Sequence, residues 1–84
     1  MTEYLFTFLS LTRAQSGQRA LQGRGIAADL RRTPKEMAAR GCGYSLAIPE
    51  ADLWPAVEIL REHQIAYQAV YRVLEDGVLE EVVL

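Results

Sequence analysis

The chain has 84 residues, half of them hydrophobic and about a quarter charged, with a net charge of −2. That is one globular domain with one core and no room for a deep internal cavity, so a site must lie at the surface. A single cysteine rules out an internal disulfide and a Cys-x-x-Cys motif, and one Cys with one His is too few for a metal site.

The small net charge hides an asymmetry. Residues 13–40 carry seven basic and two acidic side chains, whereas residues 50–84 carry two basic and eight acidic ones. Such a split suits an acidic partner or head-to-tail contacts. Nucleic-acid binding is not expected, because the pI is acidic and the basic run is not interleaved with aromatic residues. No basic leader precedes the first apolar run, which is too short to span a membrane, so the expected location is cytoplasmic with no membrane partner.

Tyr4 to Leu9 is an aromatic-rich apolar run with both faces suited to burial, as in a central strand. Thr12 to Gln15 fits a capping box, predicting a helix to about Gln22 with a thin apolar face of Ala14, Gly17, Ala20 and Leu21, ended by Gly23 and Gly25. Ile26, Ala28 and Leu30 alternate with Ala27, Asp29 and Arg31, predicting a half-buried strand stopped by Pro34. A turn or ordered loop over Lys35 to Arg40 then delivers Cys42 to a strand with Tyr44, Leu46 and Ile48 on one face, closed by Pro49.

Leu53, Ala56, Val57 and Leu60 have the spacing of a helix that buries one face, with Asp52 as N-cap and Pro55 in the first turn. Trp54 reads as a partly buried anchor, and His63 sits where a helix end favours a cation. Ala66 to Leu74 predicts a strand with Tyr67, Ala69, Tyr71 and Val73 on one face. Glu75-Asp76-Gly77 is a turn signal, and Val78 to Leu84 pairs back as a hairpin. The order implies an α+β ferredoxin-like βαββαβ sandwich with an added C-terminal strand and two helices on one face of an antiparallel sheet. One open sheet face also makes a homodimer an expectation, with Tyr67 and Tyr71 as the contact.

Chemistry, if the chain performs any, centres on Cys42. Gly41 and Gly43 remove the Cβ atoms beside the thiol and permit close approach. Arg31, Arg32, Lys35 and Arg40 favour the thiolate wherever the fold brings them near it. The alternative is a cysteine that serves as a small hydrophobe at the start of a strand.

Pro34-Lys35-Glu36 followed by Cys42-Gly43, with Ser10-Leu11-Thr12-Arg13-Ala14 after the opening strand and Gly25-Ile26 entering the second, resembles a family of small bacterial domains described as selenium/sulfur carrier-like. The likeness covers nearly the whole chain. In that family small hydroxyl residues precede the Cys-Gly pair, whereas Ala38, Ala39, Arg40 and Gly41 supply none here. The resemblance implies a carrier that holds sulfur or selenium on Cys42 as a persulfide or perselenide. Pro34, Lys35, Glu36, Arg40, Gly41 and Gly43 would surround it, and no cofactor is implied. Its partners would be a donor enzyme such as a cysteine desulfurase and an acceptor protein. A carrier of this kind turns over nothing by itself. Two readings stand beside it: a non-catalytic interaction or regulatory module with a structural cysteine, and, by fold analogy alone, a small-effector sensor.

Overall fold

A computed structural model of the chain describes residues 2–33 and 43–84. Among the described residues five strands and two helices follow in the order β1 (Glu3–Phe8), α1 (Leu11–Gln22), β2 (Asp29–Arg32), β3 (Tyr44–Pro49), a 3-10 turn (Glu50–Asp52), α2 (Leu53–Glu62), β4 (Ala69–Val73) and β5 (Leu79–Val82). The strands form one sheet in the order β2-β3-β1-β4-β5, every neighbouring pair antiparallel. This is the βαββαβ arrangement with an added edge strand. Among the described residues no helix is long and apolar enough to cross a membrane.

β1 lies in the middle of the sheet, which is why Tyr4 to Phe8 are buried on both faces. Tyr4, Phe6 and Phe8 point to the helix side and pack with Ala14, Leu21, Leu46, Ile48, Leu53, Ala56, Ile59, Leu60 and Val70. Gly17 permits the close approach of α1. A Cβ there would meet Leu46 Cδ1 and Leu60 Cδ2 at 3.3 Å and Phe8 Cζ at 3.4 Å. The opposite face carries a smaller apolar cluster of Leu5, Ala47 and Tyr71 with Ala69, Val73 and Leu79.

Local chemistry shifts several boundaries from those the pattern predicts. Ser10, not Thr12, caps α1: its backbone is extended (φ −140°, ψ 156°) and its Oγ accepts from the Arg13 N–H at 3.2 Å. Leu9 falls beyond β1 and is exposed. Ile26 belongs to the exit of α1, its N–H donating to the Leu21 carbonyl at 3.0 Å, so β2 starts at Asp29. Asp52 precedes α2 but makes no side-chain cap; the preceding 3-10 turn leads the chain into the helix instead. Leu53, Ala56, Ile59 and Leu60 form the buried face of α2, with Val57 partly buried.

Both helices leave through the same device. In α1 the Ile26 N–H reaches the Leu21 carbonyl with Gly25 at φ +83°, and in α2 the Ile65 N–H reaches the Leu60 carbonyl at 2.9 Å with Gln64 at φ +56°. Each is a six-to-one closure across a left-handed residue, which glycine adopts freely and glutamine at a cost.

The tyrosines predicted to share a face do not. Tyr67 packs on the helix side, edge-to-face with Phe6 at 5.1 Å, whereas Tyr71 lies in the buried cluster of the opposite face. The alternation breaks because the consecutive N–H groups of Gln68 and Ala69 both turn to Thr7, to its carbonyl at 2.7 Å and its Oγ1 at 3.1 Å. A regular strand sends successive N–H groups to opposite sides, so the chain is bulged there. The predicted turn forms: Gly77 (φ +84°) donates to the Leu74 carbonyl at 2.9 Å, and Asp76 Oδ1 accepts from the Val78 N–H at 3.1 Å.

Candidate functional site

Of the residues singled out for chemistry, Gly43 is described, whereas Pro34, Lys35, Glu36, Arg40, Gly41 and Cys42 lie outside the described residues. What is described is the frame that holds both ends of segment 34–42. β2 and β3 pair through Arg32 and Tyr44, and beyond that pair the Thr33 N–H donates to the Gly43 carbonyl at 3.1 Å. Since Phe8 is the β1 partner of Tyr44, the segment leaves and rejoins the sheet at the end where β1 gives way to α1. The frame is two ladder strands on a packed core, a rigid base for a connection.

Gly43 sits in this frame without a steric demand. A Cβ built there meets nothing within 4 Å, and its φ is outside the left-handed range. Glycine at 43 is therefore required neither by a contact with the described residues nor by the turn of the chain.

Two of the four basic side chains in the run are engaged. The Arg31 guanidinium bonds Glu3 Oε1 on β1 at 2.7 Å and approaches Asp29 Oδ2 on β2 at 3.6 Å, so it crosses the open face of the intervening β3 at the small side chain of Ala47. The Glu3 hydrogen bond, with the field of Glu3 and Asp29, raises the Arg31 pKa further and keeps it a cation. Arg32 lies over the ring of its cross-strand partner Tyr44, 5.7 Å from the centroid.

The frame also contains two hydroxyls that sequence reading passed over. Ser45 is fully buried and Thr33 nearly so, and neither Ser45 Oγ nor Thr33 Oγ1 has a hydrogen-bond partner among the described residues. They lie on either side of segment 34–42, Thr33 just past the end of β2 and Ser45 within β3. Native domains leave few such groups, and those that remain tend to mark strain or a function. By contrast Thr7, the β1 partner of Ser45, uses its hydroxyl fully: Oγ1 accepts from the Ala69 N–H at 3.1 Å and donates to the Ala69 carbonyl at 3.3 Å. No motif signals Ser45 or Thr33; only their sequence distance from Cys42, three residues and nine, draws attention to them.

The described residues form a split βαβ sandwich with an added edge strand, a small α+β domain. The chain belongs to the family described as "Putative Se/S carrier protein-like", whose model matches residues 3–72. The match ends within β4, so the 74–78 turn and β5 lie beyond it. No curated protein and no solved structure matches the chain.

Proposed function

We propose that the protein carries sulfur or selenium as a persulfide or perselenide on Cys42, receiving it from a donor enzyme such as a cysteine desulfurase and passing it to an acceptor protein. The observation that carries this reading is membership of the Se/S carrier-like family over a stretch that includes Cys42. In the loading step the Cys42 thiolate attacks the terminal sulfur of the donor's persulfide. A new S–S bond forms at Cys42, the donor's S–S bond breaks, and the donor cysteine leaves as a thiolate. Delivery repeats the exchange with an acceptor thiolate.

The surroundings described above support it. A glycine at 43, where a Cβ would meet none of the described residues, suits close approach of a partner to its neighbour in sequence. With Arg31 bound to Glu3 and Asp29, the positive field that favours a thiolate falls to Arg32, Lys35 and Arg40. The hydroxyls of Ser45 and Thr33, unpartnered among the described residues, are candidate donors to a sulfur anion in a chain that lacks hydroxyl residues just before Cys-Gly. The absence of a second cysteine suits the role, because no internal thiol strips the terminal sulfur off as sulfide.

Alkylation kinetics test the reading. Cys42 in the folded protein should react with iodoacetamide near neutral pH faster than it does in urea, since a lowered thiol pKa raises the thiolate fraction. A folded-state rate about tenfold slower than the unfolded one would indicate a buried structural thiol and overturn the proposal.

A further inference from the structure

The single tryptophan is the largest exposed apolar side chain of the described residues, 61% accessible, although an anchoring role was expected from its place beside Pro55. The cause is its position on α2. The buried face is Leu53, Ala56, Ile59 and Leu60, and at about 100° per residue Trp54 falls on the side of the helix away from the centre of that face, so its ring stands off the core. Counting back three and four positions through the 3-10 turn reaches Ala51 and Glu50, which line a concavity together with Pro49 and Thr2.

The surroundings are acidic. Glu50 and Asp52 precede the ring, and no basic side chain pairs with either among the described residues. Glu3 faces Pro49 on one side and Val73 on the other, so the turn carrying Glu75 and Asp76 lies at this same end of the sheet. Those two carboxylates also have no ion-pair partner among the described residues, Asp76 bonding only the Val78 N–H.

We propose that this end of the domain docks an arginine-bearing, cationic segment of a partner protein. A guanidinium stacks on an indole face and at the same time pairs with flanking carboxylates, so one side chain satisfies both features. A neutral apolar segment would cover Trp54 but strip water from Glu50 and Asp52 without compensation. The surface is separate from the Cys42 frame. Glu3 and Phe8 mark opposite ends of β1, about 17 Å apart at the rise of an antiparallel strand, and the Thr33–Gly43 pair lies at the Phe8 end. A partner tethered at Trp54 is thus held away from the end that delivers Cys42. This inference does not depend on the carrier reading.

Trp54 is its own probe, being the sole tryptophan. Titrating the full chain with an octapeptide of alternating glycine and arginine should give a saturable change in tryptophan emission. Affinity should fall about tenfold on raising salt from roughly 0.05 to 0.5 M, and the matching glycine–glutamate peptide should give no response. By anisotropy of the labelled arginine peptide, Trp54→Ala and the double variant Glu50→Gln/Asp52→Asn should each weaken binding about fivefold, with the far-UV spectrum and Cys42 alkylation unchanged. An unchanged emission, an equal response to the glutamate peptide, or full binding by Trp54→Ala would overturn the proposal. So would an emission shift on concentrating the protein alone, because a second copy would then be the occupant.

Discussion

Ser45 and Thr7 are cross-strand partners, both buried and both hydroxyl-bearing, yet the Thr7 hydroxyl is bonded twice and the Ser45 hydroxyl has no partner among the described residues. Conservative replacements at the two positions should therefore move stability in opposite directions. A buried hydroxyl without a partner costs about 1–3 kcal/mol of desolvation in proteins. Removing the Ser45 oxygen forfeits only a few dispersion contacts of about 0.1–0.2 kcal/mol each. Ser45→Ala should thus stabilise the fold by about 1 kcal/mol, a rise in Tm of about 4–8 °C for a domain of this size. Thr7→Val preserves shape but deletes both bonds to Ala69 and orphans its N–H next to the bulge, a loss of about 2 kcal/mol. Urea unfolding of the wild type and the two variants, with equal m-values, reads both signs directly. A loss of 1 kcal/mol or more in Ser45→Ala would refute the reasoning, since it would mean that the oxygen is satisfied.

The helix exits make a second pair. Gln64→Gly should stabilise by up to about 1 kcal/mol, because a left-handed conformation costs a side-chain-bearing residue about 1–2 kcal/mol, part of which glycine's extra unfolded-state entropy takes back. Gly25→Ala, at the equivalent place in α1, should destabilise by about 1 kcal/mol, and thermal melts check both. Gly43→Ala should be tolerated or stabilising by about 0.4–1 kcal/mol, since its Cβ meets nothing; a cost above 1 kcal/mol in urea unfolding would contradict that. If the Ser45 hydroxyl serves a sulfur anion, Ser45→Ala should be more stable yet accept sulfur more slowly from a desulfurase, measured as the initial rate of adduct formation by mass spectrometry.

The periodicities of the sequence carried the fold well. The two-sided apolar run of β1 announced a central strand, the spacing of Leu53 to Leu60 announced α2, and Glu75-Asp76-Gly77 announced the hairpin, because each signal is local. What stayed hidden was set by contacts distant in sequence. The Thr7 hydroxyl that bulges the start of β4 lies 62 residues from Ala69, and without it Tyr67 and Tyr71 read as one face. Gln64 in a left-handed exit gave no glycine signal, and Trp54, read as a partly buried anchor from its size and its place beside Pro55, is exposed because it lies off the helix face marked by Leu53, Ala56 and Leu60. At the candidate site the legible part was the Cys-Gly motif itself. That Arg31 is taken by Glu3 and Asp29, and that Ser45 and Thr33 flank the segment with unused hydroxyls, follows from strand register alone.

Loading of the cysteine tests the central claim most directly. The reduced protein is incubated with a cysteine desulfurase and cysteine, its intact mass is taken, and the adduct is mapped by peptide analysis beside Cys42→Ser. The account predicts a gain of one sulfur, about 32 Da, confined to Cys42 and absent in the variant. No gain, under conditions in which a known acceptor thiol is loaded, would contradict it.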